Sequence, residues 1–115
     1  MKGLREYRKE LENKQAELRA AIRDRGEIAI EQAPDELDAT QLSALRDQAI
    51  SDLDRETRLL REVTAALERI DEGDYGICAR CEEEISPKRL KALPWARHCV
   101  PCQNAIDQEG IERAA

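Results

Sequence analysis

The sequence predicts a mostly α-helical fold: a long antiparallel helical hairpin of coiled-coil character, a small module built on four cysteines, and a C-terminal helix. Three observations predict it. Leucines recur every seven residues in two long stretches, a segment containing Pro34 and several aspartates separates them, and two Cys-x-x-Cys pairs follow the second stretch. Composition agrees. Charged residues make up 38% of the 115, aromatics only 3%, and Phe is absent, so the chain cannot fill a thick layered core. Charge-clad helices sharing a narrow apolar seam suit these proportions, and the regular return of Leu, Ile and Val argues against disorder.

The first helix is expected from about Leu4 to Glu31. Leu4, Leu11 and Leu18 stand seven apart, and Tyr7, Ala21 and Ile22 fill the other seam position. Lys14 interrupts the stripe, as a long stem can while its amine stays in water. Gly26 weakens the far end by roughly 1 kcal/mol relative to Ala, so a break or fray is expected near Arg25 to Ile28. Next, Pro34 cannot continue a helix interior, and it pushes Ala33 toward extended geometry. Asp35, Asp38 and Thr40 can each cap a following helix.

That second helix is expected from about Thr40 to Glu72. Leu53, Leu60 and Leu67 repeat at seven, joined by Ala49, Val63 and Ile70, while Leu42 and Leu45 extend the stripe toward the turn. Two long helices joined by a short turn run antiparallel and reach on the order of 40 Å. The expected division is a hairpin over 1–72, with an acidic tip at 33–40, and a module over 73–115. A two-helix hairpin buries little, so its open end needs a staple.

The staple is the third segment. Gly73-Asp74-Tyr75-Gly76 ends the second helix, and Gly76 suits a left-handed backbone. Cys78 and Cys81, then seventeen residues, then Cys99 and Cys102 give the spacing of a four-thiolate zinc site. One structural Zn2+ held by all four leaves no open position for water, so no hydrolytic chemistry and no enzyme is expected. A dithiol redox pair is the alternative, but no strand–helix–strand pattern surrounds either motif. His98 beside Cys99 reads as a surface or packing residue. From Gln103 to about Arg113, Ala105, Ile106 and Ile111 form an amphipathic piece able to pack back on the hairpin base.

The formal charge is −6, and four thiolates around one zinc would deepen it, so nucleic acid phosphates are repelled and direct DNA binding is not expected. Arg80, Lys88, Arg89, Lys91 and Arg97 gather near the cysteines, where they balance thiolate charge or touch a partner. No stretch approaches the roughly 20 apolar residues of a membrane helix, and Met1 to Glu10 is too charged for a signal peptide. The expected location is the cytoplasm, where cysteines stay reduced and bind metal.

Residues 66–81 (Ala66-Leu67-Glu-Arg69-Ile70-Asp-Glu-Gly73-Asp-Tyr75-Gly76-Ile-Cys78-Ala-Arg-Cys81) resemble the segment leading into the zinc finger of the DksA/TraR family. Ile85 and the run Arg89-Leu90-Lys-Ala92-Leu-Pro94-Trp-Ala96-Arg-His-Cys99-Val-Pro-Cys102 resemble its second half. One departure is Glu82, where the family usually has Gly, so Glu82 must adopt whatever strained backbone the knuckle requires.

The resemblance implies a regulator that binds RNA polymerase, inserts its hairpin through the secondary channel and alters open-complex stability. Its acidic tip pattern falls on Asp35 and Asp38, with Thr40 where Ala is usual, and Arg55 would touch the channel wall. The positions that hold guanosine tetraphosphate (ppGpp) in well-studied members are here Glu62, Leu93 and Gln103. None is basic, and a polyphosphate needs Lys or Arg, so that site is not expected. The chain is expected to act as a monomer without membrane contact. Two alternatives are a Gre-like transcript-cleavage accessory factor, which needs no zinc finger, and a DNA-binding zinc finger, which the negative charge disfavours.

Overall fold

The computed structural model describes the backbone of residues 3–31 and 38–114, and the side chains of residues 3–26 and 38–111. Its elements are α1 (Leu4–Glu31), α2 (Ala39–Glu72), α3 (Pro87–Ala92) and α4 (Val100–Ala114). The chain divides into two compact units, Met1–Leu11 with Glu62–Ala115, and Glu12–Arg61. Among the described residues no helix is long and apolar enough to cross a membrane.

The expected break at Gly26 does not occur, because α1 runs unbroken to Glu31. Glycine raises the cost of a helix without forbidding its geometry, and Arg25 next to it is anchored to α2. In the unit Glu12–Arg61, Arg25 Nε donates to Glu56 Oε1 at 2.6 Å and Arg25 Nη1 to Asp52 Oδ2 at 3.2 Å. Leu18 is buried there, while Ala21, Ile22, Leu53 and Leu60 are only partly covered. Leu45 is exposed and Leu42 half-covered, so the expected stripe does not continue as a buried seam toward the start of α2. Helices that splay or lack large partners leave such positions wet.

In the other unit Arg8 Nη2 meets Asp71 Oδ1 at 2.8 Å. Early α1 residues therefore pair with late α2 residues here, and later α1 residues with earlier α2 residues within the unit Glu12–Arg61. Leu11, Val63, Ala66 and Ile70 are buried. The buried face of α2 follows 63, 66 and 70 rather than the leucine heptad, and Leu67 is only half-buried. Leu4 is exposed, and Tyr7 instead joins a core of Cys78, Ile85, Leu90 and Ala96. Its ring lies tilted against Tyr75 at 5.4 Å between centroids.

Gly73 closes α2 with φ +84°. Its N–H donates to Ile70 O at 3.3 Å and that of Asp74 to Arg69 O at 2.9 Å, the two bonds of a Schellman motif. The short helix α3 has no counterpart among the sequence expectations. Ser86 caps it by accepting from Arg89 N, and Pro87 fills the first turn, where a missing N–H costs nothing. In α4, Ile106 is partly covered while Ala105 and Ile111 are exposed. The expected apolar packing of this helix is thus narrow, and an ion pair of 2.6 Å between Arg80 and Glu109 ties it to the cysteine loop.

Candidate metal centre

The first cysteine pair lies in a tight knuckle. Ile77 and Glu84 form an isolated antiparallel bridge, Ile85 N donates to Gly76 O at 2.7 Å, and Cys78 N donates to Glu83 O at 2.8 Å. Gly76 has φ +86°, and the turn closes with Glu82 N donating to Cys78 O at 3.0 Å. Glu82 has φ +64°, alone among the described non-glycine residues in being left-handed. The strain expected at this position is therefore present, at a cost of roughly 1–2 kcal/mol for an L side chain.

The second pair is carried by the chain leaving α3 and by the first turn of α4. Leu93 N donates to Arg89 O at 2.7 Å and Ala96 N to Leu93 O at 2.9 Å, which turn the backbone toward Cys99. Arg89 Nε donates to His98 O at 2.9 Å. Gln103 N donates to Cys99 O at 2.9 Å, so Cys99 leads into α4 and Cys102 lies within its first turn. Ala79 N donates to Arg97 O at 2.9 Å and stitches the two knuckles together. Arg69 Nη2 reaches Trp95 O at 3.3 Å, and the Tyr75 hydroxyl donates to Pro94 O at 2.7 Å. Burial, with Tyr7 alongside, raises the Tyr75 phenol above its ordinary 10.0.

These bonds bring the four Sγ atoms of Cys78, Cys81, Cys99 and Cys102 within 4.8 Å of one another. Cys81 and Cys99 Sγ are 3.8 Å apart. A tetrahedron with zinc–sulfur bonds of about 2.3 Å requires sulfur–sulfur edges of about 3.8 Å, so the donor set fits one zinc ion. His98 is not part of the cluster, as expected. Four protein donors complete the tetrahedron, so the ion they hold is structural.

The thiols are already differentiated. At Cys78 burial works to raise the pKa, but the backbone N–H groups of Cys81, Cys99 and Arg80 outweigh it and bring it down from 9.0 to about 5. At Cys81 the backbone N–H of Glu83 pulls downward, yet burial and the sulfurs of Cys78 and Cys99 leave the thiol raised. Cys102 is pushed up to about 12, first by Cys99 and then by burial. In this arrangement one thiol is held low, and metal binding must displace the protons that the raised thiols retain.

The remaining expected residues lie elsewhere. Asp38 is the N-cap of α2: its Oδ1 accepts from Gln41 N at 2.8 Å, and Gln41 Oε1 accepts from Asp38 N at 3.2 Å, a reciprocal capping box. Thr40 is exposed in the first turn, and Asp35 lies outside the described residues. The Arg55 side chain is 72% exposed, with one ion pair of 3.5 Å to Asp52. Glu62 is exposed, Leu93 packs against the module core, and Gln103 donates to Asp107. Sequence reasoning missed the Arg25–Asp52–Glu56 cluster. Its signal was two carboxylates four apart on α2, both on a face the hairpin covers.

The prokaryotic dksA/traR C4-type zinc-finger family model matches residues 73–108. General stress protein 16O of Bacillus subtilis (strain 168) is 38% identical over 65 residues, covering 56% of this chain and 39% of that protein. The RNA polymerase-binding transcription factor DksA of Haemophilus influenzae is 39% identical over 54 residues, covering 47% of this chain and 37% of that protein. The chain thus spans less than half the length of these curated relatives. The structure of transcription factor DksA2 from Pseudomonas aeruginosa superimposes with a TM-score of 0.78 at 32% identity, over 96% of this chain and 85% of that one. With that likeness along nearly its whole length and four sulfurs gathered as a C4 finger requires, the chain belongs to the DksA/TraR family.

Proposed function

We propose that this protein binds RNA polymerase and regulates transcription, placing the acidic end of its hairpin in the secondary channel and altering open-complex stability without chemistry of its own. The observation that carries the reading is a closed four-sulfur site joined to antiparallel helices in a chain that matches DksA2 along 96% of its length. Relatives matched over part of their length are named RNA polymerase-binding transcription factors. Asp38 and Thr40 stand exposed at the start of α2, Asp35 adds a second carboxylate nearby in sequence, and the exposed Arg55 offers a guanidinium to the channel wall. The acidic chain suits a basic groove on its partner and acts as a monomer.

No cation stands at Glu62, Leu93 or Gln103, so guanosine tetraphosphate finds no charged partner there, and the protein works without it. The test is a promoter assay with core polymerase and the variant Asp35→Asn/Asp38→Asn. Binding should persist while the change in open-complex lifetime disappears, and added ppGpp should leave the wild-type effect unaltered. A double variant as active as wild type would remove the tip assignment. Release of short RNA from stalled complexes would favour a Gre-like role, and a salt-dependent DNA shift by the protein alone would favour DNA binding.

A further inference from the structure

Arg8, Arg25, Arg58 and Arg80 each meet a carboxylate at 2.6 to 2.8 Å. Arg69 and Arg97 do not. Both border a cavity of about 460 Å³ between the last turns of α2 and the first cysteine knuckle, within the unit that holds the cysteines. Glu68, Glu72, Asp74 and Glu82 border the same cavity. Among the described residues none of these six side chains enters an ion pair, so charges of both signs share one space without neutralising each other.

The arginines are placed for an anion. Arg69 is half-buried, and its Nη2 spends its hydrogens on Trp95 O at 3.3 Å and Ala96 O at 3.4 Å. The donors on Nη1 and Nε have no acceptor among the described residues. Burial first, and the Arg97 guanidinium second, pull the Arg69 pKa below its ordinary value, so the strongest charge acting on Arg69 is another cation. An oxyanion shared by two guanidiniums removes their repulsion and gains charge-assisted hydrogen bonds.

The four acids restrict which anion. A polyphosphate would be repelled by them, whereas a molecule with one carboxylate and one ammonium satisfies both sets of charges. Ile77, 37% exposed, also lines the cavity and offers contact to an apolar side chain. The volume lies within the roughly 300–1,000 Å³ of small-molecule sites. Of the four zinc ligands only Cys78 borders this space, and positions 62, 93 and 103 do not, so it is neither the metal cage nor the place where ppGpp partners would stand.

We propose that this cavity binds a small zwitterion of the amino-acid or dipeptide class, its carboxylate received by Arg69 and Arg97 and its ammonium by the acids around them. The site stands whether or not the protein acts on polymerase.

The test is a titration of the zinc-bound full chain at neutral pH, followed by amide chemical shifts, with free leucine as the probe. Shifts should concentrate at Glu68, Ile77, Ala79 and Arg97. Because the cavity is open to water, millimolar affinity is expected, weakening as salt is added. N-acetyl-leucine, which lacks the ammonium, and leucinamide, which lacks the carboxylate, should each bind about fivefold or more weakly than leucine. Arg97→Gln, an exposed position whose main-chain bond to Ala79 does not involve the side chain, should weaken leucine by a similar factor and leave leucinamide unchanged. Glu68→Gln/Glu72→Gln, both exposed, should weaken leucine and leave N-acetyl-leucine unchanged or tighter. Zinc content and the Trp95 near-ultraviolet signal confirm that each variant is folded. No shift at these amides with leucine or with the dipeptide Ala-Leu overturns the proposal. So does N-acetyl-leucine or inorganic phosphate binding as tightly as leucine, which would leave a plain anion site.

Discussion

Of the ten buried hydrophobic residues among those described, nine belong to the unit that holds the cysteines and one, Leu18, to the unit Glu12–Arg61. The first unit draws its order from sequence-distant contacts: Tyr7 packed with residues of the cysteine module, Arg69 on the Trp95 carbonyl, and four sulfurs from two separate knuckles. The second relies on helix backbone bonds and on charges crossing from α1 to α2. The difference teaches that one short chain can use two kinds of stabilisation. The metal's four bonds all belong to the first unit, and the second makes none of them.

Removing the metal should therefore have the largest effect. Structural zinc contributes about 10–16 kcal/mol of binding free energy in finger peptides near pH 7, which exceeds what a core this small can replace. A chelator, or Cys99→Ser, should abolish the near-ultraviolet signal of Trp95 while far-ultraviolet helicity falls only in part. If both signals vanish in one transition, the two units are not separately stabilised and the comparison breaks. Acid sharpens the same test. Cys78, lowered to about 5, stays a thiolate through neutral pH, but Cys81 and Cys102 are raised and must each shed a proton on binding. Apparent zinc affinity should fall at least about a hundredfold for each unit of pH lowered between 8 and 6. A pH-independent affinity would contradict the raised thiols.

Next in size is the apolar seam. Leu11 is fully buried, so Leu11→Ala should cost about 2–5 kcal/mol in denaturant unfolding, whereas Leu45→Ala, on an exposed position, should stay within about 0.5 kcal/mol. Equal losses at both would mean the arm packs more tightly than Leu45's exposure indicates. Smaller still are the left-handed positions of the first unit. Glu82→Gly should stabilise the zinc-bound protein by about 1 kcal/mol by relieving φ +64°, and Gly73→Ala should destabilise it by about 1 kcal/mol at φ +84°. Thermal midpoints moving in these opposite directions would confirm that strain, rather than a missing side-chain contact, sets the cost.

How much could be read in advance follows the same division. The cysteine ligands were legible because zinc demands fixed donors at fixed spacing, and Glu82 was legible as a strained position because the family the sequence resembles usually has Gly there. Helix existence was legible from leucine spacing. Burial was not: Ala66 lies in the core while Leu45 and Ile111 stay wet, because a straight helix drifts off a seven-residue count and a thin core covers few positions. The helix α3 escaped notice because six residues carry too little periodicity, although Ser86-Pro87 is a start signal. Gly26 did not break α1, since a local propensity cost yields to tertiary anchoring at Arg25.

The smallest expected effect lies at the start of α2 and separates two roles of one residue. Asp38 accepts from Gln41 N through Oδ1, a bond that an Asn side-chain oxygen can accept equally well and Ala cannot. Asp38→Ala should cost about 1 kcal/mol of helix stability, while Asp38→Asn should stay within a few tenths of a kcal/mol. Asn keeps the cap and removes the charge. A transcriptional effect lost in both variants would therefore belong to the carboxylate, and one lost only in the Ala variant would belong to the helix start it holds. Amide exchange at the first turn of α2, measured beside the promoter assay, tells which of the two has been disturbed.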